Sequence, residues 1–90
     1  MNELGPVGQT IMAKLKKAFQ PSLLEVVDES HRHAGHAGAR PEGETHFRVK
    51  LRSEAFRDVS RLERHRLVNA CLAEELRTRV HALSVDAAGP

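Results

Sequence analysis

The sequence predicts a small α/β protein of the α+β kind: a three-stranded mixed sheet covered on one face by helices, in the order α-β-β-α-α-β. Three observations carry that prediction. Thr45–Arg52 alternates strictly, with Phe47, Val49 and Leu51 on one face and His46, Arg48, Lys50 and Arg52 on the other. Such alternation marks a strand with one face on a core and one in water. Val7, Ile11, Leu15, Ala18 and Phe19 recur at helical spacing between Gly5-Pro6 and Pro21. Ser60-Arg61-Leu62-Glu63 is a capping box, in which hydroxyl and carboxylate satisfy each other's backbone donors and open a helix.

Each element follows from local chemistry. Pro6 suits a first helical turn, where its missing N–H has no partner to lose, and Pro21 stops the helix. Lys14, Lys16 and Lys17 are expected on its solvated side. Leu23–Val27 is short, apolar and partly β-branched, and reads as a first strand. A glycine-containing loop runs from about His31 to Gly43, and Thr45–Arg52 follows as the second strand. Ser53 caps a short helical turn through Phe56. The helix opened at Ser60 is expected to reach Arg77, with Leu62, Val68, Cys71, Leu72 and Leu76 inward. Val80–Val85 is the third strand, and Asp86–Pro90 is expected to fray. Strands one and two should pair antiparallel, and strands two and three parallel by a right-handed crossover. The basic face of strand two should then point away from the helices. The 90 residues read as one domain, 1–90, with residues 1–6 and 86–90 flexible.

Composition narrows the function classes. Hydrophobic residues make up 40% and charged residues 29%, which suits a globular chain rather than a disordered one. The net charge of +2 permits an anionic partner without demanding one. One cysteine rules out an internal disulfide and favours a reducing compartment. No apolar run is long enough to span a membrane, and Met1-Asn2-Glu3-Leu4 lacks the basic-then-apolar start of a signal peptide. The expected location is therefore cytoplasmic, with an organelle also open.

Histidines and arginines are the residues with chemistry to offer. His31-x-His33-x-x-His36 sits in the loop and His81 opens strand three. Imidazole is a ligand for iron or zinc, although structural zinc normally takes four protein ligands. His46 and His65 are expected to satisfy local hydrogen bonds. Arg48, Lys50 and Arg52 form a basic stripe, and Arg57, Arg61, Arg64 and Arg66 gather at the helices. These could contact phosphates. Glu54, Asp58, Glu63, Glu74 and Glu75 are interspersed, however, as on an ordinary solvated surface. Cys71 faces inward and reads as a small hydrophobe. No nucleophile stands with a placed base, so the expectation is a non-enzyme.

Several stretches resemble the BolA family: Ala18-Phe19-Gln20-Pro21, Leu24-Glu25-Val26-Val27-Asp28-Glu29-Ser30, Glu44-Thr45-His46-Phe47-Arg48-Val49, Arg64-His65-Arg66-Leu67-Val68, Ala73-Glu74-Glu75-Leu76 and Val80-His81-Ala82-Leu83. Together they run in order over nearly the whole chain. The resemblance implies a type II KH-like αββααβ fold. It also implies a heterodimer with a monothiol glutaredoxin around a [2Fe-2S] cluster shared with glutathione. For some members it implies a DNA-binding transcriptional regulator of stress response and cell shape. His81 matches one family ligand. The spacing Glu29-Ser30-x-x-His33 puts His33 at the loop ligand, with His36 as alternate. Gly35-His36-Ala37-Gly38 matches the GxxG of nucleic-acid-binding KH domains. There the motif joins two helices, whereas here it lies between two strands.

Overall fold

A computed structural model of the chain describes residues 4–30 and 43–90. Its elements are α1 (Pro6–Phe19), β1 (Leu23–Asp28), β2 (His46–Arg52), a 3-10 turn (Glu54–Phe56), α2 (Arg61–Cys71), α3 (Ala73–Thr78) and β3 (Ala82–Ala88). The sheet order is β1-β2-β3, so β2 is central. β1 runs antiparallel to β2, pairing Leu24 with Leu51 and Asp28 with Phe47. β3 runs parallel to β2, pairing His46 with Ala82 and Arg52 with Ala88. This is the mixed sheet and element order expected from the sequence.

The core is where the alternation places it. Phe47, Val49 and Leu51 are buried against Val7, Ile11 and Leu15 of α1 and Val68 of α2. Val26, Phe56, Leu72, Val80 and Ala87 complete it. Burying each such side chain contributes about 1.5–3 kcal/mol. Ser53 caps the 3-10 turn by accepting from Ala55 N–H (3.1 Å), and its own hydroxyl donates to the Phe19 carbonyl at the end of α1. Ser60 accepts from Glu63 N–H (3.2 Å), so α2 opens at the capping-box residue.

Five details depart from the sequence reading. The expected helix to Arg77 breaks at Leu72, whose backbone (φ −105°, ψ 20°) leaves the helical region. No glycine or proline marks that break. Beyond it Leu76 stays packed on the core and Glu75 meets Lys14 of α1. Lys14 is thus paired with a buried carboxylate rather than simply solvated. Leu62 is 62% exposed, because α2 turns Arg64, Val68, Cys71 and Leu72 inward instead. The half-buried Arg64 takes the first-turn position. Ala18 is likewise exposed. Strand three is displaced: it begins at Ala82 rather than Val80 and runs to Ala88, so Asp86, Ala87 and Ala88 pair with Lys50, Leu51 and Arg52. Among the described residues, no helix is long and apolar enough to cross a membrane.

Candidate functional site

Topology gathers one end of the sheet. Antiparallel pairing puts the end of β1 beside the start of β2, and parallel pairing puts the start of β3 there too. Asp28, Thr45 and His81 are therefore neighbours, although they are far apart in sequence. The loop between β1 and β2 leaves and returns at this same end.

A buried polar network builds the site. The Asp28 carboxylate accepts from Ser30 N–H (2.9 Å), the Ser30 hydroxyl (2.5 Å) and Glu44 N–H (3.0 Å). Both ends of the loop are thereby tied to one side chain. Ser30 Oγ in turn accepts from Thr45 N–H (2.9 Å) and His46 N–H (3.3 Å). Ser30 is 3% exposed and Thr45 is fully buried, so these groups would be costly to leave unpaired. The Thr45 carbonyl accepts from His81 N–H (2.7 Å) and Ala82 N–H (3.2 Å). That clamp fixes where the His81 backbone starts β3, while its side chain stays exposed.

The returning chain is strained and compensated. Gly43 and Glu44 both have left-handed backbone, with φ of 78° and 62°. Glycine adopts that region freely, whereas a glutamate pays about 1–2 kcal/mol. Glu44 offsets this by donating its N–H to Asp28 and by accepting from Gly8 N–H (2.9 Å) in the first turn of α1. α1 has no acidic residue in its own first turn. The Glu44 carboxylate supplies the negative charge that a helix N-terminus favours. A Cβ on Gly5 would lie 2.6 Å from that carboxylate, so a larger residue there would push the Glu44 side chain aside.

His81 stands one residue ahead of β3, and His33 and His36 lie outside the described residues. His46 was expected only to satisfy a local hydrogen bond. Its Nδ1 does lie 2.8 Å from Thr45 Oγ1. Its ring also stacks on that of His81, with centroids 6.4 Å apart and planes 22° apart. The parallel register His46–Ala82 was the signal that could have placed the two histidines together.

The arginines are arranged differently. Arg48 and Lys50 are exposed on the open face of the sheet, as expected. They line a cavity of about 170 Å³ together with Glu25, Val27, Ser84 and Asp86, so acidic groups share that face. Arg48 Nε lies 3.1 Å from Glu29, and Arg52 lies 3.2 Å from Asp86. Arg57 pairs with Glu54 at 2.6 Å, and Arg66 lies 3.9 Å from Glu63. Arg61 is exposed on the first turn of α2. Arg64 donates from Nε to the Ala87 carbonyl (2.6 Å) and from Nη1 to the Val59 carbonyl (2.5 Å). Its guanidinium ties α2 to the end of β3.

Cys71 is half-buried, with Sγ 3.7 Å from the Lys14 carbonyl. Burial holds its thiol above the ordinary value; Lys14 lowers it and Glu75 raises it. Among the described residues, no three His, Cys, Asp or Glu side chains come together as a metal site.

Residues 15–90 match the sequence profile of the BolA family, described as BolA-like protein. The chain belongs to the BolA-like family. Human BolA-like protein 1 is 49% identical over 87 residues, which cover 97% of this chain and 61% of that protein. The DNA-binding transcriptional regulator BolA of Escherichia coli K12 is 49% identical over 79 residues, 88% of this chain and 71% of that one. The solved BolA domain of SufE1 from Arabidopsis thaliana superposes with a TM-score of 0.88 at 44% identity, covering 98% of this chain and 96% of that one. The fold of this chain, with its three-stranded mixed sheet, is thus similar to that of the solved BolA domain.

Proposed function

We propose that this BolA-like chain is a non-enzymatic partner of monothiol glutaredoxins, lending imidazoles to a [2Fe-2S] cluster shared with glutaredoxin and glutathione. One observation carries the reading. An exposed His81 is held by its backbone at the same end of the sheet where Asp28 ties down both ends of the histidine-bearing loop. His81 is the first ligand in this reading, with His33 from the loop as the second and His36 as its alternate. The donor set fits a shared cluster. Neutral imidazole suits iron, and replacing thiolate by histidine raises a cluster's reduction potential. The chain's single cysteine packs against α1, so the thiolates would come from the partner and its glutathione. Cluster trafficking or iron sensing, in the cytoplasm or an organelle, is the matching role.

Anaerobic reconstitution with a monothiol glutaredoxin, iron, sulfide and glutathione tests this, read by visible circular dichroism. Adding this chain is expected to change the glutaredoxin-only spectrum, and His81→Ala and His33→Ala are expected to abolish the change. No change at saturating protein would overturn the reading.

A second reading, DNA-binding transcriptional regulation, is favoured by the similarity to the DNA-binding transcriptional regulator of Escherichia coli and by the exposed Lys50, Arg61 and Arg66, the last only loosely paired with Glu63. Arg48, Arg52 and Arg64 would have to give up the carboxylate and carbonyl partners described above. Phosphate-driven binding would weaken linearly with salt in log–log form. A flat salt response would exclude it.

A further inference from the structure

We infer that His46 is a positioning residue: its ring, oriented by Thr45, holds the His81 imidazole in the conformation that meets an incoming metal. The inference rests on the reading of His81 as a ligand, and it deepens it.

The hydrogen-bond chain assigns the protons. Ser30 Oγ gives its proton to Asp28 and accepts two backbone N–H groups, from Thr45 and His46. Its lone pairs are then occupied, and the remaining contact from Thr45 Oγ1 is long, at 3.4 Å. The better acceptor for the Thr45 hydroxyl proton is His46 Nδ1, at 2.8 Å. A neutral His46 with Nδ1 accepting carries its own proton on Nε2. Neither ring nitrogen then presents a lone pair to a metal. In this tautomer His46 offers no lone pair for ligation, and its ring direction is set by the fully buried Thr45.

The same threonine holds His81. Its carbonyl anchors the His81 backbone, and its hydroxyl aims the His46 ring, which lies nearly parallel to that of His81. An exposed imidazole without such a neighbour would sample several rotamers, and a ligand must stop doing so on binding. Groups that orient metal-binding histidines typically change affinity about 10–100-fold when removed.

The test uses the full chain and two readouts. The first needs no cluster: the χ1 coupling and ring chemical shifts of His81 by NMR. The second is the midpoint and shape of the circular-dichroism titration with cluster-loaded glutaredoxin. His46→Ala is expected to average the His81 coupling and move the midpoint by about tenfold, with the spectral shape unchanged. His46→Phe, which keeps a flat ring but no nitrogen, is expected to restore both. An unaltered His81 coupling in His46→Ala overturns the inference. So does a changed spectral shape that His46→Phe fails to rescue, which would make His46 a ligand. If His81→Ala leaves the spectrum untouched, the cluster reading fails, and the NMR readout still judges whether His46 orders His81.

Discussion

The end of the sheet at Thr45 and the arginine-bearing surface hold their side chains by different means. At Thr45, the positions of the histidines descend from a buried network that joins Asp28, Ser30 and Thr45 across a loop. On the surface, Arg57 and Arg66 meet carboxylates three residues earlier in the chain, and the exposed Arg48 meets the largely shielded Glu29. A network of buried bonds specifies one geometry, because each broken link leaves an unpaired group. Exposed ion pairs specify little, since water and salt compete for both partners. The histidine end therefore holds the His81 backbone at a fixed point, whereas the surface arginines are held only by pairs that water and salt can loosen.

The sharpest way to break that comparison is Asp28→Ala. It removes the acceptor of three hydrogen bonds and releases both loop ends. A loss of about 2–3 kcal/mol is expected by urea denaturation, since hydrogen bonds to charged groups carry most of the cost. Faster amide exchange at Glu44 and Thr45 should accompany it. A loss no larger than for a surface arginine would erase the distinction.

Arg64→Ala comes next, because Arg64 is the arginine that does not follow the surface rule. Its two carbonyl contacts join α2 to β3 and the segment before α2. A loss of about 1–2 kcal/mol is expected, because two carbonyls lose their charged donor. Arg48→Ala, by contrast, should cost about 0–1 kcal/mol, because its ion pair is more than half exposed on the arginine side (55%). Thermal denaturation of both variants side by side decides whether Arg64 belongs to the scaffold.

Much of this was legible in the residues, for physical reasons. Strict alternation in Thr45–Arg52 placed the core face of β2, because period two admits no other burial. Proline punctuation placed α1. The break at Leu72 was invisible, since no glycine or proline marks it. Asp86-Ala87-Ala88 read as a tail because its pairing partner is thirty-six residues upstream, at Lys50–Arg52. At the site, His81 stood out only through family resemblance. Ser30 and Thr45 stood out only as parts of stretches that resemble the family and, for Thr45, as the start of strand two, and their bond spans a separation of 15 residues. Local pattern carries no information about such a link.

The smallest expected effect concerns the remaining soft donor, Cys71, and sharpens why imidazole rather than thiolate is on offer. Burial raises its pKa above the ordinary 9.0, although Lys14 acts against this. The fold thus favours the protonated thiol. That contribution to stability is fully present below the unfolded pKa and is lost as pH rises from there through the folded value. Two outcomes follow. At pH 8, iodoacetamide should alkylate Cys71 more slowly in the folded chain than in urea, because the thiolate is the nucleophile. As pH rises above 9.0 the urea midpoint of the wild-type chain should fall slightly, and Cys71→Ala should flatten that part of the decline. Alkylation in the folded chain as fast as in urea would mean an accessible thiolate. Cys71 would then join His81 as a donor that a partner's cluster could reach.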